Sequence, residues 1–133
     1  MFRGILVALG LANFGLGLLS AIQPELVAGW IGFELQGPSA LGEMRAVLGG
    51  AVCVVGTLFI VATVIPRPAV LLGALSVLFF ALSLGRAASL FVDGWSLYTF
   101  AALAFEIATA GITAYLWRSP QLLDPEPDLE SAP

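Results

Sequence analysis

Histidine and lysine are absent from the chain, and cysteine occurs once. Without histidine the commonest metal ligand and the commonest general base are missing, and a lone Cys53 builds neither a disulfide framework nor a zinc or haem site. No metal and no cofactor are expected. The five basic residues are all arginines placed singly, so there is no polybasic stretch for nucleic acid or an anionic lipid surface. Charge of either sign is scarce, at 11% of residues, which is too little for the surface of a soluble domain.

Apolar residues fill that space. They make up 59% of the chain, and the mean hydropathy is +1.01, the composition of an integral membrane protein. The 133 residues suffice for four spans with short connections and leave no room for a separate soluble domain. The formal charge of −4 is concentrated at the C-terminus, where four of the nine carboxylates lie in the last ten residues.

The spacing predicts an all-α, four-helix membrane bundle with spans at about 4–22, 40–65, 69–92 and 96–117. The run after Arg3 has a poor cleavage pattern, because Leu19 would have to fill a small-residue position, so it reads as an uncleaved first span. Its small residues Gly4, Ala8, Ala12 and Gly15 recur at helical spacing and offer a neighbouring helix a close approach. Asn13 reads as a core hydrogen-bonding residue. In the second span Gly42, Ala46, Gly49, Cys53 and Gly56 form a similar stripe, expected to serve helix packing.

Between the first two spans, residues 23–41 are too broken by Pro and Gly to cross a membrane. Their mixture of Trp30 and Phe33 with Glu25 suits an interfacial helix starting at Pro24, acting as a lid. Asp93-Gly94 reads as a tight turn joining the third and fourth spans. After Arg118 the acidic, proline-rich stretch 119–133 reads as a flexible tail. Arg3, Arg67 and Arg118 fall on one side of a four-span chain, so both termini are expected in the cytoplasm, and in a bacterium the membrane would be the inner one.

Four charges lie within the spans: Glu43, Arg45, Arg86 and Glu106, with Asp93 at the rim. An ionisable residue at depth costs roughly 2.5–3.5 kcal/mol on insertion scales and normally faces a partner or a wet cavity. Counting about 1.5 Å per residue from the connecting loops puts Arg86 and Glu106 within reach of each other across one hairpin. We expect them to pair, with Glu43 balancing Arg86 or Arg45 in a neutral cluster. Along the fourth span Thr99, Ala102, Glu106, Thr109 and Thr113 share one face, expected to point inward. The cluster has two open readings: a self-neutralising network that sets helix register, or the floor of a ligand cavity.

The pattern resembles the domain of unknown function 4345 family of small four-span bacterial membrane proteins, and is similar in outline to the DoxX-like proteins. The residues carrying the resemblance are Pro24-Glu25, Glu43-Met44-Arg45 with Gly49-Gly50, Gly85-Arg86 with Asp93-Gly94, and Glu106. It implies a four-helix membrane bundle without an established activity. Small multidrug exporters differ in placing their membrane carboxylate in the first span, where this chain has no acid.

The leading expectation is a non-enzymatic protein surrounded by membrane lipids and acting by association, as an accessory subunit or a self-associated bundle. The alternative is a proton-coupled carrier or a binder of a lipophilic, quinone-like ligand that uses Glu106. Catalysis is not expected: Glu43, Asp93 and Glu106 are acids, but no His and no activated Ser or Cys accompanies them.

Overall fold

The computed structural model describes residues 1–123. Its described residues form helices joined by short turns, four of the helices being long and apolar enough to cross a membrane. The first is α1, Phe2–Ile22, which stops where Gln23 N–H donates to Leu19 O and Pro24 opens the next helix. That helix, α2, covers Pro24–Ile31; proline suits its first turn because the amide there has no helical partner. Gly32 ends it in the left-handed conformation at φ 78°, allowing Phe33 N–H to reach back to Ala28 O at 2.8 Å.

The second span runs through Gly37–Val61, beginning three residues before the expected position and ending four earlier. It consists of α3 (Gly37–Glu43), a π-helical segment (Met44–Ala51) and α4 (Val52–Val61). The chain then reverses through Pro66-Arg67-Pro68, with Arg67 in the left-handed region at φ 67°, where glycine would be less strained. The third span is α5, Ala69–Val92, and the fourth is α6, Leu97–Arg118. Ser96 caps α6 by accepting a hydrogen bond from Thr99 N–H at 3.5 Å.

The bundle is built from two antiparallel pairs, α1 with the second span and α5 with α6. Backbone approaches backbone in the first pair. A Cβ on Gly56 would fall on Phe14 N and lie 2.6 Å from Gly10 O, and one on Gly17 would lie 2.5 Å from Cys53 N. Glycine is required at these positions because the facing backbone fills the space.

Two expected packing faces are corrected. Gly4, Ala8, Ala12 and Gly15 are exposed on the outer side of α1, while Leu6, Gly10, Asn13, Gly17 and Ser20 face inward. In the second span Gly49, Cys53 and Gly56 lie along α1, but Gly42 and Ala46 are exposed, with no atom near a Cβ on Gly42. The π-helical segment explains the change: its i→i+5 bonds turn the chain less per residue than an α-helix does. Residues five apart, Met44 and Gly49, are therefore both buried, and the stripe drawn at α-helical spacing breaks there.

The pairs meet through large side chains: Leu6, Phe59, Leu72, Leu75, Phe79 and Leu116 are all nearly inaccessible. Phe59 and Phe79 contact across the seam with ring centroids 5.7 Å apart, and Phe105 lies 6.3 Å beyond Phe79. A second, smaller cluster of Val27, Ala28 and Met44 holds α2 onto α1 and the second span at the end opposite the termini.

The expected flexible tail is corrected in its first residues. Pro120–Leu123 makes a 3₁₀ turn, Leu123 joins the core, and its carbonyl accepts from Arg3 Nε at 2.5 Å. The remainder of the expected tail, 124–133, lies outside the described residues. Leu123→Ala should lower stability by about 2 kcal/mol, the lower end for a buried leucine, as read from thermal unfolding in detergent. No loss of melting temperature would mean that the turn carries no packing energy.

Candidate functional site

The third and fourth spans carry a charge each to the same level. Arg86 lies seven residues beyond Phe79 on α5, about 10 Å further from the terminal end at 1.5 Å per residue. Because α6 runs antiparallel, Glu106 arrives opposite it. Arg86 Nε donates to Glu106 Oε1 at 2.6 Å. Among the described residues this is the ion pair found within 4.0 Å.

The two partners are unequally placed. The Glu106 side chain is 6% exposed and that of Arg86 is 31% exposed. Above the pair, the Arg86 guanidinium carbon lies 5.4 Å from the centre of the Tyr98 ring, a cation–π contact that limits its wandering. Below it on α6 the buried Thr109 and Thr113 continue the inward face, and Thr113 Oγ1 donates to Thr109 O at 2.8 Å. That hydroxyl is thus used within its own helix. Thr99 and Ala102, nearer the start of α6, are half-buried on the same face.

Glu106 is satisfied at only one oxygen. Oε1 holds Arg86, whereas Oε2 is fully buried and has no hydrogen-bond partner. A carboxylate is an acceptor at both oxygens, and a buried acceptor without a donor costs on the order of 1–3 kcal/mol, more when charged. An apolar groove of about 560 Å³ follows the seam of α5 and α6, and neither Arg86 nor Glu106 lines it. Leu103 and Ile107, one turn before and one residue after Glu106, line it together with Ser83, Leu84 and Ala87. Ser83 itself donates to Phe79 O at 2.8 Å and so closes its own donor.

The other members of the expected cluster lie elsewhere. Arg45 donates through Nε to Ala21 O at 3.2 Å, capping the end of α1, and its side chain is exposed. Glu43 is exposed at the last residue of α3. Asp93 accepts from Ser89 Oγ at 2.8 Å and closes the end of α5. These three are therefore removed from the buried site: Glu43 and Arg45 belong to the other helix pair, and Asp93 is held by its own helix. The expected interfacial helix between the first two spans forms as α2, and it packs on the first helix pair rather than over Arg86 and Glu106. Val27 and Ala28 dock α2 on α1 and the second span, while Glu25, Trp30 and Phe33 are exposed, both aromatics at 60%.

Sequence reasoning did not find the role of Tyr98 or the groove between α5 and α6. An aromatic eight residues before a buried carboxylate on one helix carries no signal by itself, since the cation that joins them comes from another span. No curated protein and no solved structure matches the chain. The family described as Domain of unknown function (DUF4345) matches residues 1–117, all four spans. With that match over most of its length, this four-helix membrane protein belongs to the DUF4345 family, whose function is unknown.

Proposed function

We propose that the protein binds, within the membrane, a lipophilic molecule whose head group donates a hydrogen bond to Glu106. The observation that carries this reading is Oε2: an acceptor buried at the Arg86 pair and left without a donor. An acceptor-only group selects a hydroxyl, a quinol or an amine rather than a quinone carbonyl. The groove between α5 and α6, open on one side and lined almost wholly by apolar atoms, suits the attached chain. In this reading the role is binding or carriage, without chemistry on the ligand. With the arginines Arg3, Arg67 and Arg118 on the cytoplasmic side of a bacterial inner membrane, Glu106 lies in the outer half.

The test is solvent extraction of the purified protein followed by mass spectrometry of the extract. The wild type should release a stoichiometric lipophilic donor that Glu106→Gln, folded to the same extent, releases at a tenth of that level or less, about 1.4 kcal/mol. Equal release from both proteins would sink the reading.

Association as a self-assembled bundle or accessory subunit is a second reading, favoured by the outward position of Gly4, Ala8, Ala12 and Gly15. No atom lies near a Cβ on Gly4 or Gly15, and such a face lets another helix approach closely. Native mass spectrometry that records only monomers without partner chains would refute it.

A further inference from the structure

Opposite charges meet without pairing at the junction of α1 and α2. Ile22, Gln23, Pro24, Glu25, Leu26 and Arg45 line a pocket of about 270 Å³ there. The Arg45 guanidinium is held at its wall through Nε and Ala21 O. Glu25, in the first turn of α2, supplies the carboxylate, yet the two form no ion pair within 4.0 Å. The pocket lies where the first span ends, and exposed Trp30 and Phe33 on the adjoining segment mark that level as the water interface. Below it the surface of α1 is apolar, with Leu18 and Ile22 exposed at 46% and 65% on one helical face.

We infer that this pocket is a phospholipid headgroup site selecting a phosphate ester that bears a primary ammonium, as in phosphatidylethanolamine. Arginine is suited to the phosphate because its planar fork offers several donors in fixed geometry, and Nε is already committed to the backbone, which orients the rest. The carboxylate of Glu25 accepts the ammonium N–H groups. A trimethylammonium head has no N–H to donate, and a glycerol head brings no positive charge to Glu25. The acyl chains then run along Leu18 and Ile22, outside the helix pair. This site is separate from the Arg86–Glu106 pair, which lies in the other half of the bundle.

The full chain is reconstituted in vesicles of equimolar phosphatidylethanolamine, phosphatidylcholine and phosphatidylglycerol with matched acyl chains, and lipids retained on gentle extraction are weighed by native mass spectrometry. Phosphatidylethanolamine should be enriched about threefold over each of the others, the range of an exposed charge pair. Glu25→Gln should abolish the advantage over phosphatidylglycerol. Arg45→Gln should lower retention of all three, with Arg45→Lys restoring part of it if the loss is one of charge rather than folding. Millimolar phosphoethanolamine in solution should not displace the lipid. Bound lipid at the bulk ratio, selectivity unaltered by Glu25→Gln, or displacement by the soluble head alone would each overturn the inference.

Discussion

Gly56→Ala should destabilise the bundle by about 3 kcal/mol, the upper part of the range for overpacking a close interface. The added Cβ would meet Phe14 N, Phe14 Cα at 2.8 Å and Gly10 O at 2.6 Å, all backbone atoms of α1. A side chain in the way can rotate aside, but a helix backbone must move as a whole, and it carries the Gly17–Cys53 contact with it. The effect should appear as a lowered unfolding midpoint in mixed micelles, with α1 and the second span separating. Gly15→Ala is the control: it lies on the outer face of the same helix with nothing near its Cβ, and its change should stay within about 0.5 kcal/mol. Equal effects at the two positions would mean that the first helix pair is not built on close backbone approach.

The second large effect concerns the buried pair and is asymmetric. Arg86→Met leaves the Glu106 carboxylate 6% exposed without its cation, and removing one partner of a buried pair costs about 3–5 kcal/mol. Glu106→Gln leaves Arg86 about a third exposed and still over Tyr98, so its charge reaches water by extending toward the far end, and the loss should be near 1 kcal/mol. The double variant Arg86→Met/Glu106→Leu should recover most of the stability, because apolar residues of similar volume commonly replace a buried ion pair at no net cost. A double-mutant cycle in reversible unfolding reads all three values. Equal single losses with no recovery would point to a pair that holds the fold through its charges alone.

That recovery separates two roles that one pair can play. If Arg86 and Glu106 serve register only, the apolar double variant should keep everything the protein does. If Oε2 is an acceptor for a ligand, the double variant should be stable and empty. Its value as a reagent lies in this split between fold and binding.

Much of the architecture was legible because membrane spans obey a length rule. Ser96 to Trp117 carries no charge apart from Glu106, and the helix formed there covers Leu97–Arg118. The meeting of Arg86 with Glu106 was legible for a related reason: the Asp93-Gly94 turn is short, so depth counted along each helix fixes which residues face each other. Depth counting failed for Glu43 and Arg45. It placed them near the far end of the bundle but said nothing about which helix pair they join or which way they point, and Arg45 turns to the open carbonyl of Ala21 instead. On α1 two sets of small residues compete at the same spacing. The set that packs is the one flanking Asn13, whose side-chain amide needs an acceptor and donates to Leu9 O at 2.8 Å; that polar residue was the available signal for the inner face. In the second span the π-helical turn was not visible in residue types, and every face assigned before Gly49 shifted with it.

The measurement that bears most directly on the central claim is native mass spectrometry of the wild type and of Arg86→Met/Glu106→Leu, each released from its own membrane in the mildest workable detergent. The account predicts a lipophilic adduct of constant mass on the wild type. It predicts the same oligomeric state without that adduct on the double variant. An adduct of the same mass and occupancy on both proteins would contradict it, and would return the buried pair to a purely structural role.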